Sequence, residues 1–364
     1  MSLAELSRLQ VLVTGANSPA DLFGDAVLQA DALEREYVRL AQIADPQRFR
    51  GDPHAQSAAR WILTRLFELH QQARTALGAG GEDSGEAMVP AGQANFVVTT
   101  PRGSYRADAT HADGDYCTIY RGRATVGEDA GIEVAIKVTC EPSDNDLLLD
   151  EARALRLLEN VQSPQHKHLP PFIDQFQTTD GRAGLVLGFL NGYTLPTIRA
   201  RYREGLPGQH AAWILSRLLS VLGFAHSQGI IHGNIEPAHI LVQPPDHNVI
   251  LLDWSYSIVS PAETGQGFKV HNPEYSAKEV AERKPPLTSS DLYSVGKCMI
   301  MLLGGDLRDD SLPTSVDDRL ARFVQYFVRD SPLQRPRDAW EMYEKLKQLR
   351  EEIYGPHQFL TLAM

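Results

Sequence analysis

The stretch from Gly78 to Asn95 reads GAGGEDSGEAMVPAGQAN, glycine, small and acidic residues with no apolar period. A run of this kind is expected to be a flexible linker. It splits the chain into two parts with different hydrophobic rhythms. Before it, apolar residues recur at helical spacing; after it, strand-like segments come first and helices later.

In the first part, Leu33, Tyr37, Leu40, Ala41 and Ala44 fall on one helix face. Ala59, Ile62, Leu66, Leu69, Ala73 and Ala76 make a second stripe within Ala55 to Leu77. Between them, Asp45 to Pro53 holds two prolines and a glycine, so a turn is expected. The pattern predicts a small all-α hairpin domain over residues 1–77, with residues 78–95 as linker.

In the second part, Asn95 to Thr100, Tyr116 to Arg121, Glu133 to Thr139 and Leu185 to Phe189 are rich in strand formers. A helix is expected at about 146–159, and helices dominate from Leu206, including His210 to His226 and Ser290 to Leu303. A strand-rich lobe followed by a helix-rich lobe is an α+β arrangement. The expected boundaries are 96–190 for the first lobe and 191–364 for the second.

Composition narrows the function. A net charge of -11 argues against non-specific nucleic-acid binding, which needs a basic surface. The apolar share of 43% fits a chain that buries a core. Three scattered cysteines, Cys117, Cys140 and Cys298, suit neither a disulfide framework nor a zinc site, so a reducing cytoplasm is expected. The longest apolar run, Cys298 to Leu303, is too short for a membrane span, and residues 1–10 do not read as a signal peptide.

The order of motifs after the linker resembles the protein kinases, of bacterial serine/threonine type. Glu133-Val134-Ala135-Ile136-Lys137 looks like the strand that carries the ATP lysine, and Glu151 sits where the helix αC glutamate belongs. Leu185 to Tyr193 resembles the adenine-binding hinge, with Leu187 at the gatekeeper position. Ala135 and Leu241 match the residues that cover the two faces of adenine. Ile231 to Val242 resembles the catalytic loop, and Asp253-Trp254-Ser255 the metal-binding DFG segment. Asn272-Pro273-Glu274 is taken for the APE segment, which implies a buried Glu274–Arg335 ion pair. Ser290 to Gly296 matches the start of the family's helix αF, and Leu155, His232 and Trp254 match its regulatory spine. The resemblance implies a two-lobed kinase fold and ATP with Mg or Mn as cofactors.

Departures from the family cluster at the chemistry. Asn234 stands at the catalytic aspartate, and a neutral amide cannot accept the substrate proton. Gly233 replaces the preceding arginine. Glu236 stands at the catalytic-loop lysine, which turns attraction for the γ-phosphate into repulsion. His239 replaces the metal-binding asparagine, and imidazole is a poor ligand for Mg though it suits Mn or Zn. In the glycine-rich loop, Ala112-Asp113-Gly114-Asp115-Tyr116-Cys117, only Gly114 is kept and two carboxylates are added. The candidate nucleotide residues are therefore Gly114, Ala135, Lys137, Glu151, Leu187 and Leu241, and the candidate metal residues Asp253 and His239.

The N-terminal helices resemble a J-domain whose His-Pro-Asp signature is reduced to Asp45-Pro46-Gln47. Three functions follow as expectations. The first is a pseudokinase that scaffolds or regulates a protein partner. The second is an atypical phosphotransferase with Glu236 as displaced base. The third is a chaperone-linked adaptor.

Overall fold

The computed structural model describes residues 3–16, 18–44, 49, 55, 58, 59, 61, 62, 65, 66, 69, 73, 95–356, 358 and 360–364. The chain divides into two units, residues 1–87 with 98–102, and residues 88–97 with 103–364.

The first unit contains α1 (Leu3–Gly15), α2 (Pro19–Phe23) and α3 (Ala30–Ile43). Helix α2 opens on Ser18, whose backbone N–H donates to the Asp21 carboxylate at 2.8 Å, and Pro19 supplies a preset φ at the first helical position. In α3, Leu33 and Leu40 are buried as their spacing predicts. Ala59, Ile62, Leu66, Leu69 and Ala73 are buried in the same apolar cluster. The fold is more than a hairpin, because α1 and α2 precede α3. Helix α1 buries Leu6, Leu9 and Val13 but leaves Val11 and Leu12 exposed, so its apolar residues form no single stripe to read. Ala76, the Asp45-Pro46-Gln47 segment and residues 78–94 of the expected linker lie outside the described residues.

Further along the chain come β1 (Phe96–Thr100), β2 (Gly103–Asp113), β3 (Cys117–Gly127), β4 (Glu133–Thr139), β5 (Phe172–Gln177) and β6 (Ala183–Gly188), in a sheet of order β1-β2-β3-β4-β6-β5. Strand β2 escapes a sequence reading because Tyr105 is its one large inward side chain, its other inward residues Gly103 and Ala107 are small, and everything from Asp108 onward is exposed. Helix α4 (Asn145–Glu159) buries Leu148, Glu151, Ala152, Leu155 and Leu158, one face at three- and four-residue spacing. Its first residue fixes it to the sheet: Asn145 Oδ1 accepts from Thr139 Oγ1 at 2.8 Å and from the Ala183 N–H at 2.6 Å.

Helices follow: α5 (Leu195–Arg201), α6 (Gly208–Ser227), α7 (Pro261–Thr264), α8 (Lys278–Ala281), α9 (Thr288–Leu302), α10 (Asp318–Phe327) and α11 (Ala339–Tyr354). Short strands frame the catalytic-loop region: β7 (Tyr193–Thr194), β9 (Ile240–Gln243) and β10 (Asn248–Leu251) form one sheet, and β8 (Ile230–Ile231) pairs with β11 (Ile258–Val259). Helix α9 is buried on nearly every side and carries this lobe's core. Gly223 lets α11 lie close to α6, since a Cβ there would meet the Trp340 ring at 2.8 Å.

One expected pair is corrected. Glu274 is exposed, and Arg335 instead forms a bidentate pair with the buried Glu279, at 2.6 and 3.1 Å. The APE-like segment is therefore Ala277-Lys278-Glu279. Cys140 is exposed, whereas Cys117 and Cys298 are buried. Among the described residues no helix is long and apolar enough to cross a membrane.

Candidate functional site

The cleft between sheet and helices collects most of the predicted residues, and the strand register explains how. Ala135 lies opposite Leu187 and Lys137 opposite Leu185 across β4 and β6, so Ala135 and Lys137 share one face of the sheet. Leu187 and Leu241 are buried and Ala135 is half-buried. Gly192 passes close to Leu241, leaving apolar walls of the kind an adenine ring needs. The chain's own groups hold the hinge: the Gly188 N–H donates to Pro171 O at 2.8 Å, and the Phe189 N–H to Glu133 O at 3.0 Å.

At the other end of the cleft, Lys137 Nζ donates to Glu151 Oε2 at 2.5 Å and to Asp253 Oδ1 at 3.0 Å. All three side chains are largely shielded from solvent. Burial opposes charge on Lys137, but Glu151 and Asp253 outweigh it and hold the ammonium well above its ordinary range. Burial also pushes Asp253 up, and Lys137 and His239 overcome it, so the carboxyl is held well below its usual range. For Glu151 burial prevails over the pull of Lys137 and the carboxyl is raised; its Oε1 has no hydrogen-bond partner among the described residues.

Two residues absent from the predicted site complete this cluster. The Tyr116 hydroxyl, from the degraded glycine-rich loop, donates to Asp253 Oδ1 at 2.7 Å and accepts from Lys137 Nζ at 3.3 Å. Ser255 Oγ lies 2.5 Å from the Tyr116 oxygen, 2.8 Å from Asp253 Oδ1 and 3.1 Å from Glu151 Oε2. Burial drives the Tyr116 phenol far above its ordinary range, so it stays a neutral donor. The signals were present in the sequence: a hydroxylated aromatic in the loop, and a hydroxyl in place of the glycine of DFG. Gly114, the retained loop glycine, donates its N–H to Cys117 O at 2.9 Å and so tightens the turn between β2 and β3.

The catalytic-loop residues sit beside this cluster. The Asn234 side-chain amide makes no hydrogen bond among the described residues. Glu236 Oε2 accepts from Asn272 Nδ2 at 2.7 Å, which ties the loop to the segment before α8. His239 Nδ1 donates to Asn234 O at 2.9 Å. Its Nε2 faces Asp253 Oδ2 at 3.5 Å and Glu236 Oε1 at 3.6 Å. Asp253 and His239, predicted as metal residues, are thus neighbours that face each other. Among the described residues no group of three or more His, Cys, Asp or Glu is arranged to hold a metal ion.

The supporting frame is intact. Asp291 accepts the backbone N–H groups of His232 and Gly233 at 2.8 and 2.9 Å, and His226 Nε2 lies 2.9 Å from it. Gly233 has φ of +77°, and a Cβ there would lie 2.7 Å from Tyr256 O, so glycine suits a backbone that strains any other residue. His232 stacks edge-on against Trp254 at 4.7 Å, with Leu155 also fully buried. His232 Nε2 donates to Leu252 O at 3.0 Å and Nδ1 accepts the Asn234 N–H at 3.3 Å. Lys269 bonds Asp146 and Asp150 of α4 at 2.6 and 2.8 Å, fastening the segment after DFG to that helix.

A nucleotide fits this cleft only in part. The adenine half has its apolar walls. In the phosphate half, Tyr116 and Ser255 take up the Lys137 and Asp253 contacts, and Glu236 adds a negative charge.

The family model described as Protein kinase domain matches residues 112–341. "Serine/threonine-protein kinase pkn3" of Myxococcus xanthus is 28% identical over 250 residues, 65% of this chain and 43% of that protein. "Serine/threonine-protein kinase D" of a Synechocystis strain is 27% identical over 212 residues, 51% of this chain and 39% of that protein. "Serine/threonine-protein kinase dkf-2" of Caenorhabditis briggsae is 27% identical over 55% of this chain and 16% of its own length. The chain spans less than half the length of these curated relatives.

Proposed function

The chain belongs to the protein kinase domain family, and we propose that within it the chain is a pseudokinase, one that scaffolds or regulates a protein partner and does not transfer phosphate. The observation that carries this reading is Asn234. Its amide sits at the position of the family's proton acceptor, and an amide has no carboxylate to take a proton. Glu236 beside it repels a γ-phosphate and is already held by Asn272.

The fold-building pairs support the same reading. Glu279 with Arg335, Asp291 with the catalytic-loop backbone, and the stacked His232 and Trp254 are all kept. The pairs that hold a kinase together are retained, as are Lys137, Glu151 and Asp253, while Asn234 and Glu236 replace the proton acceptor and the catalytic-loop lysine. A fold preserved without its chemistry is suited to presenting a surface. Bound ATP, with Mg or Mn, is proposed as an optional ligand that enters when Tyr116 leaves Asp253.

Unfolding measured with ATP and with each metal tests the nucleotide part. A ligand that binds only the folded state stabilises it by about 2.7 kcal/mol at a hundred times its Kd. A weak rise in wild type, strengthened in Tyr116→Phe and lost in Lys137→Ala, is expected. A large rise in wild type that is unchanged in Tyr116→Phe contradicts the closed phosphate half.

A second reading, an atypical phosphotransferase, rests on His239 Nε2 lying between Glu236 and Asp253. It draws on the kinase names of the relatives. It requires Glu236 to release Asn272 and act as base, so transfer abolished by Glu236→Gln would favour it.

A further inference from the structure

Helices α6 and α11 enclose a second cavity, of about 210 Å³, within the helical lobe. It is lined by Trp213 and Arg217 of α6 and by Tyr343, Lys347, Arg350 and Glu351 of α11. At about 30 Å³ per water, this is room for about seven waters.

Its lining is electrostatically out of place. The chain carries a net charge of -11, yet three cations line this cavity against one carboxylate. Neither Arg217 nor Arg350 has an ion pair or a hydrogen bond among the described residues, and the Nε of each is shielded from solvent. Trp213 is 3% exposed, and its Nε1 is a third buried donor with no hydrogen-bond partner among the described residues. Glu351 lines the same cavity without pairing with either arginine.

Buried donors without acceptors are costly, and like charges side by side add to that cost. A structure that keeps two guanidinium groups and an indole N–H in this state is complementary to an acceptor-rich anion. Arginine forks match the oxygens of phosphate in bidentate geometry. Three donor groups around a cavity of this size suit a tetrahedral, doubly charged group carrying a small substituent. We propose that this cavity binds a phosphate group, as the free ion or as a small phosphate monoester, between Arg217, Arg350 and Trp213.

Two further observations agree. Burial and the neighbouring Arg217 charge both lower the Arg350 pKa, a penalty that an anion would remove. Residues 343–358 of the wall also lie beyond the stretch matched by the kinase family model, which ends at residue 341. Trp213 and Arg217 lie inside that stretch, so it is the α11 half of the site, with Lys347 and Arg350, that stands outside the match.

The test is thermal unfolding of the full chain in phosphate-free buffer, titrated with inorganic phosphate or glycerol 3-phosphate at ionic strength matched with sodium chloride. Wild type is expected to show a saturable rise in Tm. Arg217→Gln and Arg350→Gln should each shift the half-saturation point at least tenfold. Without anion both variants should be as stable as wild type or more so, because each removes an unpaired, part-buried charge with a shielded Nε. Lys137→Ala should respond like wild type, which separates this cavity from the nucleotide cleft. A rise with inorganic phosphate alone identifies the free ion as the ligand, and a rise with the ester alone identifies the monoester. Equal shifts from sodium chloride, equal responses in the arginine variants, no response to either probe, or loss of the response in Lys137→Ala overturns the proposal.

Discussion

The Tyr116 hydroxyl donates to Asp253 Oδ1 at 2.7 Å, joining the glycine-rich loop to the DFG-like segment across the cleft. Asp253 has a backbone φ of +60°, in the left-handed region that aspartate tolerates better than most residues. The carboxylate that would face a metal ion instead faces a phenol, a serine and a lysine of its own chain.

Removing that phenol should separate stability from access. A hydrogen bond to a charged group contributes about 1.5–3 kcal/mol. Tyr116→Phe should therefore lose stability of that order without ligand, and gain a larger Mg-ATP response than wild type. Denaturant unfolding with and without nucleotide measures both.

The corrected ion pair gives a sharp contrast between two nearby glutamates. Glu279 and Arg335 are both buried, and burial of Glu279 is outweighed by its bonds to Arg335, so the carboxyl is held below its usual range. Glu279→Ala leaves a buried guanidinium and should cost about 3–5 kcal/mol. Glu274→Ala, at an exposed position, should stay within about 0.5 kcal/mol. Urea midpoints of the two variants distinguish the assignments.

Stability should fall on mild acidification, through two buried histidines. Burial lowers His232 and His168 from 6.5 to about 4. The unfolded chain then takes up the protons first, so stability rises with pH between about 4 and 6.5. The contribution is complete above pH 6.5 and disappears as pH falls to about 4. At 1.36 kcal/mol per unit, each histidine accounts for about 3 kcal/mol. His232→Phe should roughly halve the slope of unfolding free energy against pH in that window, whatever it costs at pH 7.

Restoring the proton acceptor alone should restore no chemistry. In Asn234→Asp, Glu236 still repels the γ-phosphate and Tyr116 still holds Asp253. Phosphate incorporation by this variant should stay at the level of wild type in a radiolabelled ATP assay.

The legible part of this molecule was the part where residue type and spacing act together. Lys137 on an alternating strand, Glu151 on a helix face and Asp253 after an apolar strand come together as their order suggested. Side-chain reach was harder to read. Tyr116 and Ser255 enter the cleft only because the loop and the DFG-like turn aim them there, and a linear pattern does not encode that aim. Glu279 was hidden by a nearer match, since Asn272-Pro273-Glu274 keeps a Pro-Glu pair that Ala277-Lys278-Glu279 lacks. Helix α1 escaped because its apolar residues are spread over two faces, and strand β2 because Tyr105 is its one large inward side chain beside glycine and alanine. The cations of the α6–α11 cavity lie about 130 residues apart in sequence and meet only through helix packing.

The most direct test of the central claim is transfer of labelled phosphate from ATP, with Mg or Mn, to the chain itself and to generic protein substrates. Wild type should incorporate no more label than Asp253→Asn, in which the metal-facing carboxylate is gone. Incorporation by wild type that Asp253→Asn abolishes would contradict the account and make this chain a working kinase.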